Sequence, residues 1–115
     1  MEARAVRKYI SGSPRKMRRV VNVVRGKSVA DAINTLHFLP QAATRPVMLV
    51  IRSAIHNLMD LYPDERFDDA EVYVTEIRVD EGPSLKRIRP VSRGRAHPIS
   101  KRTSHITVIV QPEKV

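Results

Sequence analysis

Residues 82–103 restrict the possible fold of this chain more than any other segment. They lie between two β-rich runs. Glu71 to Val79 carries Val72, Tyr73, Val74, Ile77 and Val79, and Ser104 to Val110 alternates, with Ile106, Val108 and Val110 on one face. The connection exceeds the roughly 12–15 residues that a compact domain leaves without structure of its own. It carries Lys86, Arg87, Arg89, Arg93, Arg95, Lys101 and Arg102, no acid, and no helical period. Alone in water such a segment is expected to be flexible and self-repelling. Pro90 to Gly94 lies near its midpoint and marks the tip of a hairpin. Arms of about 12 residues would reach at most about 40 Å, at about 3.3 Å per residue. A thin basic finger of that length has no intramolecular reason to stay outstretched; a polyanion on both sides would supply one.

The rest of the charge is segregated too. Residues 3–30 hold nine bases and no acid; residues 31–81 hold ten acids and four bases; residues 82–115 hold eight bases and Glu113. The net charge is +9. A surface charged only for solubility would mix its signs, so the partner is expected to be polyanionic, nucleic acid before an anionic membrane. The 115 residues fit one domain, 1–115, with the finger at about 82–103 protruding from it. Hydrophobic residues make up 42% of the chain, so disorder is not expected. There is no cysteine, which excludes disulfides, thiolate zinc sites and cysteine nucleophiles. The longest apolar run, Val47 to Ile51, is far too short to span a membrane. No secretory signal is visible after Met1, and a cytoplasmic location is expected.

Residues 3–10 read as a short strand, with Ala5, Tyr9 and Ile10 among Arg4, Arg7 and Lys8. Ser13-Pro14 announces a helix, Ser13 as its cap and Pro14 at its first position. Met17, Val20, Val21 and Val24 form the buried stripe; Arg15, Lys16, Arg18 and Arg19 fall largely off it, and Gly26 ends the helix. Ser28 to Asp31 resembles a capping arrangement for a second helix, with Val29, Ile33 and Leu36 on its apolar face and Pro40 as its stop. A third, most buried helix is expected from about Gln41 to Leu61. Pro46 either sets its start at Thr44 or Arg45 or bends its first turn. Residues 62–70 are a polar loop. The pattern predicts an α+β layer fold.

Catalysis finds no support. Ser104 and His105 are neighbours in a strand, so their side chains point to opposite faces. His37, His56, His97 and His105 lack metal-like spacing, and Asp64, Glu65, Asp68 and Asp69 lack the glycine and final Glu of a calcium loop. No metal and no cofactor are expected. A nucleic-acid enzyme would need carboxylates near the basic surface, and residues 3–30 and the finger at 82–103 are devoid of them. A free regulator would need a readable recognition element and a symmetric dimer, and no such helix stands out. No aromatic lies between Pro83 and His105, so the finger cannot offer base-stacking platforms. Recognition there should rest on phosphates and shape, through Arg forks and Lys point charges.

The stretch Asp80-Glu81-Gly82-Pro83-Ser84-Leu85-Lys86-Arg87-Ile88-Arg89-Pro90 resembles the finger of the large-subunit ribosomal protein family numbered twenty-two, bacterial type. Gly94-Arg95-Ala96 and Lys101-Arg102-Thr103-Ser104-His105-Ile106-Thr107-Val108 are similar as well, as are Ser13-Pro14-Arg15-Lys16 with Arg25-Gly26-Lys27, and Ser53-Ala54-Ile55 with Asn57. The resemblance implies three helices packed on a three-stranded antiparallel sheet, with a long extended β-hairpin. It implies a structural constituent of the large ribosomal subunit that contacts several domains of the large ribosomal RNA, aids early assembly, and lines the polypeptide exit tunnel with its hairpin. The expected RNA-binding residues are Arg15, Lys16, Arg18, Arg19, Arg25, Lys27, Lys86, Arg87, Arg89, Arg93, Arg95, Lys101 and Arg102. The expected tunnel-lining tip is Arg89, Pro90, Val91, Ser92, Arg93 and Gly94. Implied partners are ribosomal RNA, neighbouring large-subunit proteins and the nascent polypeptide, with no membrane and no homo-oligomer. Leu85-Lys86-Arg87 matches a region where changes alter the tunnel and confer macrolide resistance. Ser11-Gly12, Val91-Ser92 and Pro46 depart from the family pattern.

Overall fold

The computed structural model describes residues 1–90, 94 and 96–112. The element order is β1 (Ala3–Ser11), α1 (Pro14–Val24), α2 (Val29–Phe38), α3 (Thr44–Leu61), β2 (Tyr73–Glu81), β3 (Leu85–Pro90), β4 (Ala96–Lys101) and β5 (Thr103–Gln111). Strands β1, β5 and β2 form an antiparallel sheet in that order, and β3 and β4 form a two-stranded ribbon. The expected three helices, three-stranded antiparallel sheet and β-hairpin are all present.

The alternation of β5 places Ile106, Val108 and Val110 on the helix-facing side, where none is exposed to solvent. Across from them α1 contributes Met17, Val20, Val21 and Val24. The most deeply buried helix is α3, through Val47, Val50, Ile51, Ala54, Ile55 and Leu58. It starts at Thr44, which places Pro46 inside the first turn. The first four N–H groups of a helix have no intrahelical partner, so proline is tolerated there without a bend. In α2 the Ser28 hydroxyl accepts from the Asp31 N–H at 3.2 Å, as the capping pattern predicts. In α1 the expectation needs correcting. Ser13 occupies the cap position with extended dihedrals, but its side chain makes no capping bond. Pro14 removes only the N–H of the first helical position, and the groups a Ser13 hydroxyl would cap, the N–H of Arg15 or Lys16, are not bonded by it. Gly26 follows the end of α1 at φ +82°, a conformation that costs glycine nothing, and turns the chain toward β2.

The radius of gyration is 17.2 Å and the principal extents are 65 × 26 × 18 Å. A compact chain of this length would have a radius near about 13 Å, so the ribbon stands away from the body. Among the described residues its register runs from Leu85↔Lys101 to Pro90↔Ala96, six pairs. The last body pair is Glu81↔Ser104. Between it and Leu85↔Lys101 the outgoing arm advances four residues and the returning arm three. The outgoing side of the root thus holds one residue more than the returning side, and the ribbon forms a sheet separate from that of the body.

Candidate nucleic-acid interface

Helix α1 presents the first basic surface. Arg15, Lys16, Arg18, Arg19 and Arg25 are exposed and Lys27 is half-buried. They do not form one uniform patch. Among the described residues, the side chains of Arg15, Lys16 and Arg19 make no hydrogen bond or ion pair. Arg18 donates from both Nε and Nη2 to the Val79 carbonyl, at 3.2 and 3.1 Å. Arg25 donates to the Ile77 carbonyl at 2.7 Å and to Asn22 Oδ1 at 2.7 Å. Lys27 Nζ reaches Thr35 Oγ1 at 3.2 Å.

The sheet order explains these two arginines. Strand β2 is an edge, and its outer carbonyls have no neighbouring strand. Backbone groups after α1 take one end of that edge: Val29 N donates to Val72 O, Gly26 N to Val74 O, and Val74 N to Lys27 O. Arg25 and Arg18 take the next two outward carbonyls, Ile77 and Val79. The edge is thus closed by α1 and its C-terminal turn. Each guanidinium has five N–H donors, so both retain donors for an external anion. Nothing in the linear pattern could have separated Arg18 and Arg25 from Arg15 and Arg19, because the carbonyls they meet lie 61 and 52 residues away.

At the root of the finger Lys101 and Arg102 are exposed, with side chains that make no hydrogen bond or ion pair among the described residues. The root itself is tightly tied. Gly82 N donates to Thr103 O at 2.9 Å, Gly12 N donates to Arg102 O at 3.1 Å, Thr103 Oγ1 donates to Pro83 O at 2.6 Å, and Ser104 Oγ donates to Gly12 O at 3.0 Å. Lys86 is exposed on β3. Arg87, Arg89 and Pro90 lie in β3, and Gly94, at φ +70°, lies between the two arms. Val91, Ser92, Arg93 and Arg95 lie outside the described residues.

His105, His37 and Asp68 have structural surroundings. Ser104 is fully buried, while His105 accepts the Tyr9 N–H on Nδ1 at 3.0 Å. His37 packs edge-on against Phe38. In the acidic loop Asp68 accepts the Ala70 N–H, a local turn. Among the described residues no group of three or more His, Asp or Glu could hold a metal ion, and no helix is long and apolar enough to cross a membrane.

Residues 5–111 match the family described as Ribosomal protein L22p/L17e. The chain belongs to the ribosomal protein L22 family. Bacterial relatives named "Large ribosomal subunit protein uL22" agree along nearly the full length. The Salinibacter ruber protein is 52% identical over 114 residues, 99% of this chain and 93% of its own. That of Desulfitobacterium hafniense is 50% identical over 113 residues, 98% and 96% of the two chains. That of Chlorobaculum tepidum is 48% identical over 110 residues, 96% and 92%. L22-family proteins are structural rather than enzymatic.

Proposed function

We propose that this L22-family chain is a structural constituent of the large ribosomal subunit that holds large-subunit ribosomal RNA by its phosphates. One observation carries the phosphate reading: Arg15, Lys16, Arg19, Lys101 and Arg102 are all exposed, and none of their side chains bonds to the described chain. Five cations left without an internal role, on a body whose only described ion pairs join Arg78 to Glu76 and Asp80, are available to an external polyanion. Arg18, Arg25 and Lys27 add donors from the same side of the fold. Lys86, Arg87, Arg89, Arg93 and Arg95 extend the contact along the finger.

The family supports the rest of the proposal. The chain acts as one domain with its hairpin at 82–103 protruding. It aids assembly by touching more than one RNA segment, meets neighbouring large-subunit proteins, and works as a single copy in the cytoplasm. Its tip, Arg89 to Gly94, lines the polypeptide exit tunnel and faces the nascent chain. A ribbon of two strands buries little apolar surface and is marginal alone in water. RNA on both sides neutralises its charge and holds it extended.

Sucrose-gradient fractionation of cells tests the placement. The chain is expected to sediment with the large subunit; recovery in the light fractions at the top of the gradient would refute it. Affinity for large-subunit ribosomal RNA, followed against salt, tests the contact. Each neutralised phosphate should add a slope of about −0.7 to −0.9 in log affinity against log salt, and a flat line would refute phosphate binding.

A further inference from the structure

Tyr9 is the one residue other than glycine with positive φ among the described residues, at +59°. A bulky aromatic gains nothing from the left-handed region, so the surrounding structure must impose that conformation. The pairing of β1 with β5 shifts register between Arg7 and Ile10, so Lys8 and Tyr9 form a bulge. The Tyr9 N–H, turned out of the ladder, donates to His105 Nδ1 at 3.0 Å across 96 residues of sequence. The two rings meet edge to face, with centroids 5.0 Å apart and planes at 85°. Whichever ring supplies the edge, at least one face of the phenol stays clear. Tyr9 is 66% exposed. The backbone is thus held in an unfavourable conformation in order to present an aromatic ring to solvent.

Cations neighbour Tyr9 along the chain and at the finger root that pairs beside it. Arg7 and Lys8 precede it and are exposed. The Gly12–Arg102 and Ser104–Gly12 bonds tie β1 to the finger root, where Lys101 and Arg102 are exposed. The nearby acid, Asp80, is the cross-strand neighbour of His105 and is engaged by Arg78 at 3.6 Å. The other aromatics differ. Tyr62 and Phe67 pack on the core, Tyr73 is half-buried, and Phe38 is exposed without backbone strain. We propose that Tyr9 is a stacking platform for one unpaired RNA base, with the flanking cations taking the adjoining phosphates. The inference rests on the RNA-binding reading above and adds to it a contact that does not depend on charge. It supplies at the finger's root the aromatic face that the finger's own sequence lacks.

The test uses the full chain, whole large-subunit ribosomal RNA as the probe, and a salt series. Tyr9→Asn removes the ring while keeping a residue that tolerates the left-handed conformation, so the fold is retained. Tyr9→Phe keeps the ring. Binding is compared at a temperature where circular dichroism shows each variant folded. Tyr9→Asn is expected to weaken binding by about 5- to 150-fold at every salt concentration, leaving the slope unaltered. Tyr9→Phe is expected to bind as the parent does. Equal affinity of the parent and Tyr9→Asn, with the salt slope intact, overturns the stacking site and leaves phosphate binding standing. Loss of affinity in Tyr9→Phe as large as in Tyr9→Asn also overturns it, since the hydroxyl rather than the ring would then be responsible. A parent that binds without any salt slope overturns the parent reading instead.

Discussion

Arg18 on α1 and Arg25 at its C-cap should prove structural in a melting experiment, and the neighbouring α1 cations should not. Arg18 and Arg25 together donate three hydrogen bonds to the Val79 and Ile77 carbonyls. Bonds from charged donors contribute about 1.5–3 kcal/mol when sheltered. Both side chains are exposed, so water competes, and about 1 kcal/mol for each arginine is a fair discounted figure. Replacing both with Met keeps the aliphatic stems against the body and removes only the donors. A loss of about 2 kcal/mol should lower the melting temperature by roughly 8 °C in a chain of this size. Differential scanning calorimetry of the double variant in moderate salt reads this directly. The matched control replaces Arg15, Lys16 and Arg19 with Gln. That triple variant should melt within about 0.5 kcal/mol of the parent, while its salt slope for ribosomal RNA falls by roughly 2–3. If the double Met variant melts with the parent, water satisfies the β2 carbonyls equally well and the clamp argument fails.

Three further outcomes are expected. Gly82→Ala places a Cβ 2.5 Å from Thr103 Oγ1, an atom pinned by its own 2.6 Å bond to Pro83 O, so urea unfolding should show a loss of about 1–3 kcal/mol; an unchanged midpoint would mean the root can yield. Pro46→Ala should shift stability by less than about 1 kcal/mol in the same assay, because position 46 sits where a helix needs no N–H partner. Deleting Leu85 to Arg87 should change macrolide sensitivity in a strain whose large subunits still assemble, and unaltered sensitivity would count against the proposed tunnel placement.

The sequence made the body legible because its signals are local. Met17, Val20, Val21 and Val24 keep helical spacing, Ile106, Val108 and Val110 keep strand alternation, and each set is buried where that spacing puts it. The finger was legible from its punctuation: an acid-free connection too long for a plain loop, with Pro90 to Gly94 near its midpoint, reads as two arms, and β3 and β4 pair as those arms. What escaped was pairing at a distance. The bulge at Lys8–Tyr9 follows from registry with β5, and the roles of Arg18 and Arg25 follow from which strand ends up at the rim of the sheet. Ser13 carried a correct positional signal, yet its hydroxyl is idle. A capping preference concerns where a side chain can help, and a residue can hold that position without its hydroxyl being used.

The closed rim of β2 also bears on the life of the protein before it meets RNA. A newly made, strongly basic chain must wait in a crowded solution, and an open strand flank is where copies of it would zip together. With the Val72, Val74, Ile77 and Val79 carbonyls already answered from α1 and the residues that follow it, that route to aggregation is shut along β2. It stays available on the ribbon, where density of positive charge makes two copies repel. Shelf life and cargo grip are thus divided between arginines a few residues apart along α1 and its C-cap.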